Sequence, residues 1–230
     1  MEDFNVAICT PSYSGPTARY TMSLTRMLIT YQATPVLGQP ERRRAYSYNM
    51  IVGSMVCTAR EEMLEGSLKL GATHLLFLDE DMGFHPMTLN NMLARQQPFV
   101  ACNYPMKAWP QNFTARRLDR AEWLPTKENS SSLEEVDFCG LGFALIERQV
   151  MEALGDAPNF LNTWDEEWHS YATEDRYFCH KIREKGFPVY IDHDASKLVY
   201  HCGNHTYSWD DEKNAHHRQP YAERIRIGNG

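Results

Sequence analysis

The sequence lacks a long hydrophobic run. In 230 residues no stretch approaches the roughly 18 consecutive apolar residues that a membrane-spanning helix needs. The N-terminus, MEDFNVAICTPSYSG, is acidic and soon reaches a polar turn, which is not the pattern of a secretion signal. We therefore expect a soluble, unexported, cytoplasmic protein.

Paired cysteines and an excess of basic residues are also missing. The six cysteines form no CxxC pair, which excludes a zinc ribbon, and they do not suggest a small disulfide scaffold. A net charge of −7 argues against a wholly basic nucleic-acid-binding surface and leaves only local patches such as ARR at 115–117. The chain contains no internal repeat and no low-complexity block.

What is present is an alternation of short apolar strands and amphipathic helices. With 43% hydrophobic residues, the chain can bury one good core. The pattern predicts strands at 5–10, 44–50, 73–79 and 99–104, helices at 23–33, 54–71 and 85–96, a strand, glycine turn and helix over 134–154, and a helix followed by two strands over 172–203. This order favours an α/β fold with a mostly parallel central sheet flanked by helices, whose ligands gather at the carboxyl ends of the strands.

The segment HLLFLDED, residues 74–81, places two carboxylates at such a strand end. In an extended segment Asp79 and Asp81 point the same way, while Glu80 points elsewhere. Two carboxylates suit Mg²⁺ or Mn²⁺, which complete their coordination with water and substrate phosphates. The alternative is an ordinary solvated acidic turn.

The segment TAREEMLEGSLKLGATHLLFLDEDMGFHPMTLNNML resembles the core of GT-A glycosyltransferases, family 2-like, including the D-x-D motif. The likeness extends over VACNYPMK, VDFCGLGFALIERQVMEAL and ATEDRYFCHKIREKGFPVYIDHDASKLVYHCG, and the short length is similar to compact phage-encoded and bacterial members. It implies a metal-dependent, inverting transfer of a sugar from a nucleotide-diphosphate sugar, most often a UDP-sugar, to an acceptor hydroxyl. The acceptor would be a glycan, a protein or a hydroxymethylated base in phage DNA, and the location would be the host cytoplasm for a phage-encoded chain.

The resemblance assigns residues to the donor. The loop that holds the nucleotide matches Thr10, Pro11, Ser12 and Tyr13, and Glu80 is counted with them. Arg60 would counter the diphosphate or pair with a neighbour on its helix, and Lys107 would touch donor or acceptor. Gly140 and Gly142, expected at a strand exit, would let the backbone approach a sugar or would form a tight turn.

The resemblance also assigns the metal ligands and the catalytic acids. Asp79 and Asp81 correspond to the D-x-D carboxylates, which would hold Mn²⁺ or Mg²⁺, and His201 to a third ligand, with His205 as its rival. Asp175, next to Glu174 in TEDRYF, corresponds to the base that takes the proton from the acceptor hydroxyl. The alternative is that Thr173 is an N-cap and that the two acids only favour the helix dipole.

The expected organisation is a GT-A domain over 1–205, with a nucleotide-binding half at 1–104 and an acceptor and catalytic half at 105–205. The tail at 206–230 would be mobile or act as a lid. The acceptor site would use residues 104–135 and the tail. Four tryptophans could stack on a sugar or a base: Trp109, Trp123, Trp164 and Trp168.

Three other functions compete with this interpretation. A nucleotidyltransferase would use the same carboxylates but needs a Gly-rich basic phosphate loop, for which TPSYSGPTAR offers only Gly15 and Arg19. A glycosidase holds its two carboxylates about 5 to 10 Å apart across the sugar. A non-catalytic sugar- or nucleotide-binding module would have no use for a base at Asp175. The sequence leaves the oligomeric state open.

Overall fold

The computed structural model describes residues 3–118, 122–166, 169–203 and 206–211. Its helices are α1 (Ala18–Ala33), α2 (Val56–Lys69), α3 (Thr88–Ala94), α4 (Arg148–Leu154), α5 (Glu174–Glu184) and α6 (His193–Ser196). Its strands are β1 (Phe4–Ser12), β2 (Arg44–Val52), β3 (His74–Leu78), β4 (Met82–Phe84), β5 (Phe99–Ala101), β6 (Leu133–Glu135), β7 (Phe143–Glu147), β8 (Thr163–Asp165), β9 (Ser170–Ala172), β10 (Tyr190–Asp192), β11 (Val199–Cys202) and β12 (Thr206–Tyr207). No helix in this part of the chain is both long and apolar enough to cross a membrane.

Seven strands form the central sheet in the order β2-β1-β3-β7-β5-β10-β6. β2, β1, β3, β5 and β10 run in one direction, whereas β7 is antiparallel to β3 and β5, and β6 is antiparallel to β10. The expected α/β class with a mostly parallel sheet is therefore confirmed. The sheet is mixed because β7 is inserted between two strands that run against it.

Helices cover both faces of this sheet. Alternate residues of β1 point to opposite sides, so Val6 and Ile8 pack in the cluster with α1 and α3, whereas Ala7 and Cys9 pack in the cluster with α2, α4 and α5. Because β3 lies between these two layers, all of its residues are buried. The helix predicted over 54–71 is α2, which ends at Lys69, just before Gly71 with its φ of 68°.

A second, three-stranded sheet has the order β12-β11-β4. β11 is antiparallel to β4, with Tyr200 opposite Gly83 and His201 opposite Met82. The backbone N–H of Cys202 donates to the carbonyl of Asp81 at 2.7 Å. This small sheet therefore brings His201, which is distant in sequence, next to the end of β3.

Two local expectations are wrong. Residues 79–81 are not extended, because the N–H of Met82 donates to the carbonyl of Asp79 at 3.1 Å and closes a turn. Gly140 and Gly142 precede β7 and so lie at a strand entrance, whereas a strand exit was expected. The turn at residues 79–82 separates the side chains of Asp79 and Asp81, so they do not share one face of a strand.

Candidate functional site

A cleft of about 230 Å³ opens at the carboxyl ends of β1, β2 and β3. Parallel strands end at one edge of a sheet, which is where ligands of such folds bind. The cleft brings together eight residues expected to be functional: Pro11, Ser12, Tyr13, Arg60, Asp79, Glu80, Asp81 and Glu174. The rule of strand ends therefore located the cleft correctly, although β3 contributes a turn instead of an extended pair.

Glu80 organises the loop that follows β1. Its carboxylate accepts hydrogen bonds from the hydroxyl of Ser12 and from the backbone N–H groups of Tyr13 and Ser14, the last two at 3.0 and 3.2 Å. Burial raises the pKa of Glu80, but these hydrogen bonds outweigh it and hold the pKa below its ordinary value. The structure thus places Glu80 as a support of the loop, and its oxygens are engaged by the chain itself.

Within that loop the four expected residues differ in position. Pro11, Ser12 and Tyr13 line the cleft, and Tyr13 is 76% exposed at its rim. Thr10 is fully buried, and its hydroxyl is hydrogen-bonded to that of Tyr20 in α1. Thr10 therefore lies beneath the cleft, where it cannot contact a bound molecule directly.

Arg60 links three elements of the cleft. Although it is buried, it donates to Oδ1 of Asp79 at 3.0 Å and to Oε1 of Glu174 at 2.6 Å. Burial lowers the pKa of this guanidinium, but Asp79, Glu174 and Asp175 outweigh burial and raise it. The alternative in which Arg60 pairs with a neighbour on its own helix is wrong, since its partners come from the end of β3 and the start of α5.

The same charges act on the two carboxyl groups that Arg60 contacts. Burial and the charge of Asp81 raise the pKa of Asp79 by more than Arg60 lowers it, so the pKa lies above its ordinary value. Burial also raises the pKa of Glu174, again against the influence of Arg60. Two partly buried carboxylates share one cation here, so this part of the cleft keeps an excess of negative charge that favours binding of a further cation.

Asp81 belongs to a different group, with Lys107 and His201. Lys107 Nζ contacts Oδ2 of Asp81, and Nε2 of His201 lies 3.3 Å from Oδ1 of Asp81 without the geometry of a hydrogen bond. Burial raises the pKa of Asp81, but the nearby His201 and Lys107 outweigh it, so the pKa lies below its ordinary value. This carboxylate is therefore held in its charged form.

The arrangement of Asp81 and His201 fits a metal ion. Nδ1 of His201 donates to the carbonyl of Pro105 at 3.1 Å, so Nε2 is the ring nitrogen directed at Oδ1 of Asp81. Oδ1 of Asp81 is buried and has no hydrogen-bond partner among the described residues. Imidazole nitrogen and carboxylate oxygen both suit Mn²⁺, so these two side chains could hold a divalent ion between them.

The complete ligand set expected from the sequence is not assembled. Within the described residues, no group of three or more His, Cys, Asp and Glu side chains is placed to hold a metal ion. Asp79 Oδ1 accepts from Arg60 at 3.0 Å, and its other oxygen lies against Gly142. His205, the rival of His201, lies outside the described residues.

Asp175 and Glu174 begin α5 beside the cleft. Thr173 occupies the N-cap position, but its side chain does not cap the backbone, because its hydroxyl donates to Oδ1 of Asp175. The N–H of Arg176 donates to the same oxygen at 2.8 Å. The helix start thus fixes the orientation of Asp175, and an oriented carboxylate can accept a proton.

Gly140 and Gly142 make room for Tyr104. A Cβ at either position would lie 2.6 or 2.5 Å from the hydroxyl of Tyr104, and at Gly142 also 2.9 Å from Asp79. The N–H of Gly142 donates to that hydroxyl at 2.9 Å. Whatever these glycines do for a ligand, their lack of side chains already accommodates a buried tyrosine behind Asp79.

The sequence interpretation missed several residues of the cleft. Gly53 and Ser54 line it directly after β2, and Val56 and Ala59 line it from α2. The strand-end rule that singled out Asp79 applies equally to β2 and could have found Gly53 and Ser54. Tyr104 stood in a segment that resembled the family but carried no motif of its own.

No family model matches the chain, and no curated protein matches it in sequence. Solved structures do match in fold. The protein A197 from STIV is 19% identical with a TM-score of 0.56, covering 89% of this chain and 93% of that one. A mutant of Drosophila β1,4-galactosyltransferase 7, in complex with manganese, UDP-Gal and xylobiose, is 10% identical with a TM-score of 0.51, covering 98% and 80%.

A third structure, S. aureus TarS 1–349 in complex with UDP-GlcNAc, is 12% identical with a TM-score of 0.50 and covers 90% of this chain and 61% of that one. At such identities these likenesses concern the fold alone. The α/β architecture, with its mixed central sheet between two helical layers, is the one that these glycosyltransferases have. The chain therefore has a GT-A-like fold.

Proposed function

We propose that the protein is a metal-dependent, inverting glycosyltransferase that moves a sugar from a nucleotide-diphosphate sugar, most simply a UDP-sugar, to an acceptor hydroxyl. The observation that carries the proposal is the pair formed by Oδ1 of Asp81 and Nε2 of His201, a carboxylate oxygen and an imidazole nitrogen 3.3 Å apart at the edge of the cleft. On a GT-A-like fold, this pair is suited to a divalent ion. Such an ion acts as a Lewis acid toward a leaving diphosphate.

The side chains around the pair fit the donor. Asp81 and His201 would hold Mn²⁺ or Mg²⁺, with the remaining positions left to water and phosphate oxygens. Lys107 lies against Asp81 and supplies positive charge beside the ion. Tyr13, exposed at the rim, offers an aromatic face to the base of a nucleotide.

The acids at the start of α5 fit the transfer step. Asp175 takes the proton of the acceptor hydroxyl while the acceptor oxygen bonds to the anomeric carbon. The bond between that carbon and the phosphate oxygen breaks, and the nucleoside diphosphate leaves with the electron pair. Glu174 acts indirectly. Its carboxylate pairs with Arg60 at 2.6 Å, and this ion pair stabilises the side of the cleft between the donor site and Asp175.

A thermal-shift series tests the donor and the metal together. UDP-, GDP-, CDP- and TDP-sugars are each added with and without Mn²⁺, and the true donor should raise the melting temperature only with the metal, because a ligand that binds the native state stabilises it. Asp81→Ala should abolish the metal-dependent shift. Glu65→Gln, an exposed acid on α2 that pairs with Lys69, is the matched control and should keep it. An equal shift in wild type and Asp81→Ala would contradict the metal assignment.

Product analysis separates this function from its main rival. A glycosyltransferase releases a nucleoside diphosphate, whereas a nucleotidyltransferase that makes a nucleotide sugar releases pyrophosphate. The donor that gives the thermal shift is incubated with the protein in one reaction, and the matching nucleoside triphosphate with the sugar 1-phosphate in another, and chromatography of the products distinguishes the two. Pyrophosphate release from a nucleoside triphosphate would overturn the proposal.

A further inference from the structure

The β8–β9 hairpin carries an exposed aromatic pair. Trp164 and Tyr171 stand directly opposite each other on the two strands, with ring centroids 5.3 Å apart. Their exposed fractions are 48% and 73%. Adjacent large aromatic side chains that remain this exposed are unusual on a protein surface and mark sites of interaction.

The opposite face of the hairpin is attached to the protein. Side chains alternate along a strand, so Asp165 points away from the face of Trp164. Oδ2 of Asp165 lies 2.5 Å from Nη2 of Arg176 in α5, and both side chains are largely buried. The hairpin is therefore anchored through Asp165, and its aromatic face is directed to solvent in a fixed orientation.

Both ends of the hairpin join the candidate active site. β9 ends at Ala172, next to Thr173, whose hydroxyl donates to Asp175. At the other end the segment that leads into β8 is held on α2, where Glu61 accepts hydrogen bonds from the backbone N–H and the side-chain amide of Asn159, each at 2.7 Å. The aromatic pair thus stands on the rim of the cleft, on the side of the expected base.

The chemistry of this rim selects the occupant. The described hairpin residues add the exposed carboxylate of Glu166, and they include no lysine or arginine. An acidic surface on a chain of net charge −7 repels nucleic acid and other polyanions. Aromatic faces stack on the apolar face of a pyranose ring, and carboxylates accept hydrogen bonds from its hydroxyl groups.

We infer that the hairpin is the binding platform for a neutral carbohydrate acceptor. That the bound carbohydrate is an acceptor rests on the proposed function, but its binding to the hairpin does not depend on catalysis. It also moves the acceptor site from the region expected from the sequence, residues 104–135 and the tail, to strands β8 and β9. Trp168, the other tryptophan expected to stack, lies outside the described residues.

The test is carbohydrate binding without any nucleotide sugar. Neutral trisaccharides of glucose, xylose and N-acetylglucosamine are titrated into the full chain, and binding is followed by saturation-transfer NMR and calorimetry. Wild type should bind at least one of them. Trp164→Ala and Tyr171→Ala should each weaken that binding about tenfold, the effect of losing roughly 1.4 kcal/mol of stacking. Circular dichroism verifies that the variants are folded.

Two comparison variants make the result specific. Tyr46→Ala removes an aromatic ring that is 40% exposed on the edge strand β2, and it should leave binding unchanged. Trp109→Ala removes a tryptophan that is 48% exposed but packs near Tyr207. If Trp109→Ala weakens binding while Trp164→Ala does not, the inference is overturned. Failure of wild type to bind any trisaccharide, or preferential binding of a single-stranded DNA oligonucleotide, overturns it as well.

The donor thermal-shift series separates this inference from the proposed function. A metal-dependent donor shift with unchanged carbohydrate binding in Trp164→Ala leaves the glycosyltransferase standing and removes the platform. Carbohydrate binding that depends on Trp164, without a shift for any donor, supports the platform and contradicts the transferase.

Discussion

At the scale of single residues, Asp175 carries the sharpest prediction. Asp175→Asn keeps the size of the side chain and an oxygen for Thr173, but it removes the carboxylate that accepts a proton. Donor binding, measured by the metal-dependent thermal shift, should remain, and the turnover number should fall by about a hundredfold to ten-thousandfold. Single-turnover kinetics with radiolabelled donor checks the chemical step directly.

The matched control for this variant is Asp156→Asn, an exposed acid in the segment after α4. It should transfer sugar at the rate of wild type. Normal turnover in Asp175→Asn would show that another group accepts the proton, and loss of donor binding would show that the carboxylate supports the cleft and not the transfer.

Residue types and motif order predicted much of the site, but its pairings could not be predicted. The sequence singled out Arg60, Asp79 and Glu174 separately. Their shared contact spans 114 positions between Arg60 and Glu174, and only the packing of α2 against the start of α5 creates it. The turn that separates Asp79 from Asp81 contains no glycine or proline, and its aspartates are its only turn-forming residues, so the sequence left an acidic turn as an alternative without deciding for it.

At the scale of elements, the β4–β11 pairing sets the distance between Asp81 and His201. Tyr200 lies across Gly83, and a Cβ at Gly83 would approach its ring to 1.9 Å. Gly83→Ala must displace the ring or the strand, and it should destabilise the protein by about 1 to 3 kcal/mol in urea unfolding. It should also weaken the Mn²⁺-dependent donor shift, because His201 follows Tyr200 in the displaced strand.

A double-mutant cycle isolates this contact. In a Tyr200→Ala background no ring covers Gly83, so the further change Gly83→Ala should cost much less than it does in wild type. Gly66→Ala on α2 is the comparison, since an added Cβ there meets nothing within 4 Å. If Gly83→Ala lowers the unfolding free energy equally in both backgrounds, the contact with the Tyr200 ring is not the cause of the destabilisation.

Element types were more predictable than their arrangement. β1, α2 and β3 follow directly from buried apolar runs and from helical spacing, since each pattern is local. The insertion of β7 between β3 and β5 was not predictable. An apolar strand that is buried on both faces has the same composition in either direction, and its neighbours are decided by contacts between distant parts of the chain.

At the scale of the whole molecule, the buried histidine of β3 couples global stability to pH. Burial, and then the charge of Arg42, lowers the pKa of His74 to about 4 from an ordinary value of 6.5. Between about pH 4 and pH 6.5, His74 is therefore protonated in the unfolded chain but not in the folded chain. The stabilisation is complete above about pH 6.5 and is lost progressively as the pH falls toward 4.

The size of this effect can be measured against a variant. Between about pH 7 and pH 5 the linkage amounts to about 2 kcal/mol for this one group. His74→Gln keeps a polar side chain next to Thr73 but cannot take up the proton, so its unfolding free energy should fall by about 2 kcal/mol less than that of wild type over the same interval. Urea unfolding at the two pH values checks this, with exposed His85→Gln as the control for loss of a histidine. If wild type and His74→Gln lose equal stability, then acid destabilisation begins elsewhere. The carboxylates that share Arg60 are then the next groups to test, because they too are partly buried and change charge on the acid side.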